Sequence, residues 1–386
     1  MKLSSSVERL KPSPTISAGE EVRKLLAKGK DIVRFDIGEP DFDTPEHIRK
    51  AGIDAINRGY THYTSTRGIP ELREALVADQ KRAGLGLSTS NVVFYPGSKI
   101  ALYSVLSLLV DEGAEVIMQD PIWATYASIV EYLGGTPIRV RDWTDQNPDS
   151  FSAEEFEKKI SSKTRAILVN SPCNPTGAVV PDREIEELLK ISSSKQVPFI
   201  LDRIYSALTY DGVEDRIPPY DIEDGNLIVI SGFSKEFAMT GWRLGYTVAP
   251  KAFTDLLVQF QDNTTTCPPS FVQYAAVAAL NGARDWQKKM IAEYKERRDT
   301  MVSGINELPG WKCSPPKGAF YCFPFVGNSQ EDSISLSANL LSQCGVSSVA
   351  GEYFGEQGKS HLRLSYTTPK ERIVEGMSRI RKYLDK

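Results

Sequence analysis

The chain is poor in the residues that build metal sites and disulfide frameworks. Among 386 residues there are three histidines, at 47, 62 and 361, and five cysteines, at 173, 267, 313, 322 and 344. The cysteine count is odd and no C-x-x-C pair occurs, so neither a zinc-type ligand spacing nor a closed disulfide set is present. The expectation is free thiols, no metal and a reducing, cytoplasmic setting. No long apolar run exists either: residues 100–110, the longest, include Tyr103, Ser104 and Ser107 and fall short of a bilayer span. The first residues, Met1-Lys-Leu-Ser-Ser-Ser-Val-Glu-Arg, lack the apolar core of a signal peptide. Charge has no dominant sign. Lys and Arg number 46 against 50 Asp and Glu, interspersed, which offers no basic face to nucleic acid or to a membrane surface. No G-x-G-x-x-G follows an apolar strand, which removes the dinucleotide-binding oxidoreductases.

What is present is a long alternation. Apolar runs at 92–95, 116–118, 138–140, 166–169, 199–201, 227–230 and 246–249 read as buried strands, with helical patterns at 100–110, 124–133, 153–160 and 183–191 between most of them. Continuous hydrophobicity in strands separated by helices predicts an α/β fold with a mostly parallel, seven-stranded sheet covered on both faces. The N-terminal residues read as a polar arm broken by Pro12 and Pro14, then a short helix over 20–27 and a strand over 32–37. Thr44 is placed as the cap of a helix that opens at Pro45. After Pro268-Pro269 a long helical stretch over 285–306 leads to short strands near 319–323 and 361–366, the pattern of a smaller α+β domain. The expected division is an N-terminal arm, 1–44, shared with the small domain; a large domain, 45–275; and a small C-terminal domain, 276–386.

One stretch organises the rest: Ser231-Gly-Phe-Ser-Lys-Glu-Phe-Ala-Met-Thr-Gly-Trp-Arg-Leu-Gly-Tyr246. Lys235 sits among Phe233, Phe237 and Met239. Apolar surroundings disfavour its charged form, so the neutral amine becomes accessible and can condense with an aldehyde. Arg243, eight residues on, supplies a fixed fork for phosphate or carboxylate. An aldehyde that carries a phosphate is pyridoxal 5'-phosphate (PLP).

Other strand ends offer groups that suit this cofactor, and ligand chemistry in such sheets lies at the carboxyl ends of the strands. Tyr95-Pro-Gly-Ser-Lys is a strand, a glycine turn and a helix start near Ser98, a cradle for phosphate. Asn170-Ser-Pro-Cys-Asn-Pro-Thr-Gly177 is a stiff loop presenting Asn174 toward a phenolic oxygen. Phe199-Ile-Leu-Asp202 ends a buried strand on a carboxylate that would pair with a protonated pyridine nitrogen. Trp123, in Asp120-Pro-Ile-Trp-Ala-Thr-Tyr126, would lie flat on a ring. Tyr63 stands in a polar loop within reach of a phosphate, and Arg363, alternating with Leu362 and Leu364, suits a substrate carboxylate. Each has an ordinary alternative: a surface lysine, a common α/β turn, a helix-capping aspartate, a core indole, a loop tyrosine, a structural ion pair. Their agreement across six stretches favours the cofactor.

With these residues the chain resembles the class I aminotransferases, PLP enzymes of fold type I, and within them the aspartate aminotransferase-like branch. The resemblance runs from Gly38-Glu-Pro-Asp-Phe-Asp-Thr-Pro45 through Asn174-Pro-Thr-Gly, Asp202 with Tyr205 and Ser234-Lys-Glu-Phe-Ala-Met-Thr-Gly-Trp-Arg to His361-Leu-Arg-Leu-Ser-Tyr366. It implies that Lys235 is the Schiff-base lysine, that Asp202 pairs the ring nitrogen, that Asn174 and Tyr205 hold the phenolic oxygen and that Trp123 stacks on the ring. It implies a phosphate site of Ser98, Lys99, Ser234 and Arg243, with Tyr63 reaching in from a partner subunit of a homodimer. Gly38, Arg363, Asn174 and Trp123 would meet the substrate. The pattern departs at two places. Gly232 stands where many members carry a phosphate-binding serine, and Ser107 stands where some aspartate-specific members carry a lysine.

The implied activity is transfer of an amino group from an L-amino acid, aspartate-like or broadly chosen, to a 2-oxo acid such as 2-oxoglutarate. A carbon–sulfur β-lyase or cyclopropane-forming synthase on the same fold is the neighbouring alternative, and a non-catalytic PLP-binding sensor a more distant one. Side-chain choice is expected to depend on Thr15, Tyr63, Ser107 and residues near 260–267.

Overall fold

A computed structural model describes residues 1, 3–10, 12, 14–141, 143, 150–214, 216–327 and 331–385, with the backbone alone for residues 5 and 14–18. In chain order the N-terminal elements are α1 (Pro14–Ala27) and β1 (Val33–Arg34). Then come α2 (Glu46–Asn57), α3 (Pro70–Arg82), β2 (Leu85–Gly86), β3 (Val92–Tyr95), α4 (Ser98–Leu109), β4 (Glu115–Asp120), α5 (Ala124–Tyr132) and β5 (Thr136–Arg141). Next are α6 (Ala153–Glu157), β6 (Thr164–Asn170), α7 (Asp182–Lys195), β7 (Phe199–Asp202), β8 (Tyr220–Asp221), β9 (Leu227–Gly232) and β10 (Gly245–Val248). The chain closes with α8 (Lys251–Asp262), α9 (Ser270–Asn281), α10 (Asp285–Asn306), β11 (Tyr321–Cys322), α11 (Ser333–Cys344), β12 (Val346–Ser347), β13 (Val349–Ala350), β14 (Leu362–Ser365) and α12 (Lys370–Leu384).

The seven apolar runs form one sheet of order β3-β10-β9-β7-β6-β4-β5. The neighbours β9-β7-β6-β4-β5 pair in parallel, and β10 runs antiparallel to both β9 and β3. This is the expected fold class, a doubly covered α/β sheet. One face carries Phe94, Ile117, Ile167, Phe199 and Val229 into a core with residues of α2, α3, α7 and α9; the other carries Val93, Val116, Ala166, Ile200 and Ile228 into a core with α4, α5 and α8. Alternate residues of each strand serve opposite faces, so a fully covered strand has no polar position to spare and reads as a continuous apolar run.

A third core, around Phe35, Tyr294, Trp311, Phe320 and Leu364, joins β1, α10, α12 and the three-stranded sheet β11-β14-β13. Parallel pairing of β1 with β12 ties the N-terminal segment to the C-terminal one. The division expected between residues 275 and 276 falls inside α9, where Val272, Ala275, Ala276, Ala279 and Leu280, on both sides of it, pack in the first core.

Local expectations needed correction at the N-terminus. The helix expected over 20–27 begins at Pro14, because a proline at the first helical position gives up an N–H that has no intrahelical partner. Thr44 does not cap α2: Pro45 precedes its first residue and makes no side-chain cap bond, while the Thr44 hydroxyl donates to the Ala238 carbonyl at 2.5 Å. That bond ties the 38–45 turn to the loop that bears Lys235. The strand expected over 32–37 pairs only at Val33 and Arg34, and residues 36–38 turn into the cavity described next.

Candidate active site

Strand ends converge on a single cavity of about 420 Å³. From the large sheet it is lined by Ser98, Lys99, Trp123, Tyr126, Asn170, Asn174, Asp202, Tyr205, Ser234, Lys235 and Arg243, and from the opposite side by Gly19, Arg23, Arg34, Asp36, Gly38, Tyr321 and Arg363. This is the carboxyl edge of the sheet, where the chain leaves strands through loops whose polar groups face outward.

Lys235 follows β9 by three residues and is half-buried, between the buried Phe233 and Phe237 in sequence. Burial lowers its ammonium from the ordinary 10.5 to about 8; the Glu39 carboxylate opposes the change, and Arg363, Arg243 and Lys99 reinforce it. Its Nζ donates to the Gly38 carbonyl at 2.5 Å and lies 5.8 Å from the Phe320 ring centre. Asp202 ends β7 in the same cavity. Burial pushes its carboxyl up to about 6, against hydrogen bonds from the Tyr126 hydroxyl, 2.8 Å, and the Ile204 N–H, 3.0 Å. Among the described residues no cation contributes to the electrostatics of Asp202; its neighbours are the Tyr126 hydroxyl and the Ile204 N–H. A buried carboxylate held by two neutral donors is well suited to a cationic partner.

The turn between β3 and α4 is built for close approach. Gly97 has φ +101°, and a Cβ there would run into the Arg243 guanidinium; a Cβ at Gly245 would run into the backbone of Ser98. Only hydrogen fits at both positions, which brings the N-terminus of α4, Ser98 and Arg243 together. Arg243 itself adopts φ +54° and donates from Nη1 to the Thr240 carbonyl at 2.9 Å. Ser234 is buried in the cavity wall, and the Lys99 Nζ lies 4.8 Å from the Trp123 ring centre.

Arg363 enters from β14. Its Nη1 donates to Asn174 Oδ1 at 3.2 Å and its Nη2 to the Asp36 carbonyl at 2.8 Å, while its Nε is buried without a hydrogen-bond partner. The guanidinium stacks 4.5 Å from the Tyr321 ring centre, and the Tyr321 and Tyr205 hydroxyls are 2.9 Å apart. A buried guanidinium held only by neutral acceptors can still take a carboxylate. Asn174 is itself fixed: its N–H donates to Asn170 Oδ1 at 2.9 Å, and Asn170 Nδ2 donates to the Asp202 carbonyl at 3.1 Å.

Across residues 30–380 the chain matches the family model described as Aminotransferase class I and II. It is 37% identical over 393 residues to aromatic-amino-acid aminotransferase 2 of Thermococcus litoralis, covering 100% of this chain and 98% of that protein. It is 36% identical over 392 residues to aspartate aminotransferase of Pyrococcus abyssi, with the same coverage. The solved structure of Thermus thermophilus aspartate aminotransferase with maleate superposes with a TM-score of 0.94 at 33% identity, covering 100% of both chains. The chain belongs to the class I and II aminotransferases. Members of this family work with PLP, and the donor set just described fits that group: an amine of lowered pKa, an unpaired buried carboxylate and a cradle that only glycine permits.

Of the residues singled out by sequence for this aminotransferase, Lys235, Asp202, Asn174, Tyr205, Trp123, Ser98, Lys99, Ser234, Arg243, Gly38 and Arg363 all line the one cavity. Three do not. Tyr63 is 86% exposed and stands away from its own chain's cavity. Ser107 lies in the third turn of α4, off the cavity wall. Gly232 also lies off the wall, and a Cβ there would lie 2.9 Å from the Leu244 carbonyl oxygen and 3.0 Å from the Gly245 Cα. The Thr15 side chain falls outside the described residues. Sequence reasoning passed over Tyr126, Asn170, Tyr321 and the Arg34–Asp36 pair. Tyr126 had a signal, since it falls in the first turn of α5 directly after Trp123, and the two rings meet edge to face at 5.4 Å.

Among the described residues no group of His, Cys, Asp or Glu could hold a metal, and no helix is long and apolar enough to cross a membrane.

Proposed function

We propose that this aminotransferase moves the amino group of an L-amino acid to a 2-oxo acid such as 2-oxoglutarate, with PLP as its cofactor. The observation that carries the reading is the shared cavity of Lys235, Asp202 and Arg363. When bound, the cofactor supplies an aldehyde that takes up the amino group and a protonated ring that draws electrons from the substrate Cα. Asp202 would hold the ring nitrogen in its protonated form, with Tyr126 and the Ile204 N–H keeping the carboxylate aimed. Ser98, Lys99, Ser234 and Arg243 would hold the phosphate, Asn174 and Tyr205 the phenolic oxygen, and Trp123 one face of the ring.

The substrate carboxylate would lie on Arg363, whose fork is set by Asn174 and the Asp36 carbonyl. The Lys235 amine would be the group that accepts a proton from the substrate Cα, and its ammonium the group that gives the proton back to carbon. An amine titrating near 8 is close to neutral pH, which suits both directions of that transfer.

Tyr63 would serve the second subunit of a homodimer, a reading supported by its exposure and its distance from its own cavity. A division into a large unit that begins at 45 and keeps all of α9, and a small unit made of 1–44 with the segment after α9, belongs to this reading. A cytoplasmic location agrees with the five free cysteines. The test is an assay of the purified holoenzyme with an amino-acid panel and 2-oxoglutarate. The expected result is stoichiometric exchange of amino and oxo groups. Release of ammonia and pyruvate without exchange would assign the chain to the β-lyases instead.

A further inference from the structure

The loop that carries Lys235 depends on outside support. Residues 233–239 form a turn, closed by bonds from the Phe237 N–H to the Phe233 carbonyl at 3.2 Å and from the Met239 N–H to the Ser234 carbonyl at 3.1 Å. Ala238 adopts φ +50° and Arg243 φ +54°, a region of backbone space that is costly for residues other than glycine. Such conformations persist only where the surrounding structure imposes them. The Thr44 hydroxyl supplies one hold, on the Ala238 carbonyl. The two side chains directly after Lys235 supply another.

Glu236 and Phe237 both meet the start of α10. Arg284, the residue before that helix, donates from Nη1 to Glu236 Oε1 at 2.5 Å, and Gln287 Nε2, in its first turn, donates to the same oxygen at 3.1 Å. The Arg284 guanidinium lies 4.7 Å from the Phe237 ring centre, and the Trp286 and Phe237 ring centres are 6.4 Å apart. Phe237 stacks in turn on Phe233 at 5.4 Å. The other end of the guanidinium, Nη2, donates to Asp79 Oδ1 of α3 at 3.1 Å. One side chain thus fastens the lysine loop to both α3 and α10. Neither Glu236 nor Arg284 lines the cavity. Their side chains are 23% and 27% exposed, so solvent screens the pair and it adds little to global stability. Its effect is local, on the residue that Glu236 follows.

Resting on the proposed function, we propose that Arg284 is a positioning residue for Lys235: by gripping Glu236 and Phe237 it fixes how deeply the amine sits in the cavity. Without that grip the loop relaxes, water reaches the amine and proton transfer slows, while the Arg363 carboxylate site is untouched.

The test compares Arg284→Gln with the wild type. The rate at which each apoprotein captures PLP, followed by absorbance across pH, reports the neutral fraction of Lys235. Its midpoint is expected near 8 in the wild type. It should rise by about one pH unit in Arg284→Gln as the burial that holds it down is relieved. Glu39 from the 38–45 turn, Arg243 from the same loop, Arg363 from β14 and Lys99 from α4 are the charges that face the amine, and all remain in both proteins. In the loaded enzyme kcat should fall about tenfold, with the KM for the amino donor within about twofold. Arg284→Lys, which can still pair with Glu236, should recover most of both readouts. Arg298→Gln breaks an ion pair with Asp211 on the same helix, away from the loop; it should lower urea stability and leave midpoint and kcat alone. An unmoved midpoint, a KM rise in place of the kcat loss, or an equal midpoint shift in Arg298→Gln would overturn the role of Arg284. Should Arg284→Gln not fold, Glu236→Gln decides: a midpoint raised in the same direction supports the role, and an unmoved one overturns it. A set of variants whose midpoints move as stated, in an enzyme that exchanges no amino group, would overturn the proposed function and leave the role of Arg284 standing.

Discussion

Lys235 makes the unliganded protein less stable at neutral pH than it would be without that amine. An ammonium that titrates near 8 in the folded chain and near its ordinary 10.5 in the unfolded chain opposes folding wherever it must be carried protonated. The gap is worth about 3 kcal/mol, and solvent entering the half-buried site reduces that to about 2 kcal/mol. Below pH 8 both states are protonated and the full cost applies. As pH rises from 8 toward 10.5 the folded chain has lost the proton and the unfolded chain still holds it, so stability recovers through that window. Replacing Lys235 with methionine removes the titrating group and keeps most of the apolar volume. Urea unfolding of both apoproteins from pH 6.5 to 10.5 is the assay. The variant should be the more stable at pH 7, and its advantage should shrink steadily above pH 8. The lost hydrogen bond to the Gly38 carbonyl lowers the whole curve for the variant but adds no pH dependence of its own. A stability difference flat across the range would refute a lowered lysine pKa, and with it the argument for a neutral nucleophile.

Three further outcomes follow from the same geometry. Asp202→Ala should weaken PLP binding by about 1.5–3 kcal/mol, the worth of a hydrogen bond to a charged group, as read by fluorescence titration of the apoprotein. In the wild type the affinity should fall as pH drops through about 6, where the Asp202 carboxyl takes up its proton. Gly97→Ala forces a Cβ into the Arg243 guanidinium at a positive φ, so affinity for PLP should drop while affinity for unphosphorylated pyridoxal holds; equal loss of both would place the phosphate elsewhere. Tyr321→Phe removes the 2.9 Å contact to Tyr205 and keeps the ring under Arg363, which should cost about 1 kcal/mol in urea unfolding and leave substrate KM unchanged.

The sheet was legible because covered parallel strands cannot alternate, and all seven apolar runs are strands of it. The antiparallel direction of β10 was not, since hydrophobicity carries no sign of direction. Asn174, Ser98 and the Lys235–Arg243 loop were identified because they stand at strand ends among glycine or proline, and Asp202 because a carboxylate closes an unbroken apolar run. Tyr126 and Tyr321 went unremarked because a buried tyrosine in an apolar segment looks like core, and its hydroxyl partner, Asp202 or Tyr205, is distant in the chain. Thr44 was misassigned for a related reason. A threonine before Pro-Glu has the form of a helix cap, and its bond to Ala238, 194 residues away, has no local signature. Arg23 and Asp36 escaped notice because α1 and the 36–38 turn meet the sheet edge only in the folded chain.

The central claim is covalent: the ε-nitrogen of Lys235 carries the cofactor aldehyde. Borohydride reduction of the PLP-loaded enzyme followed by peptide mapping tests it most directly. A phosphopyridoxyl group should appear on the peptide containing Lys235 and nowhere else. A label on Lys99, or an unmodified Lys235 in fully loaded enzyme, would contradict the account.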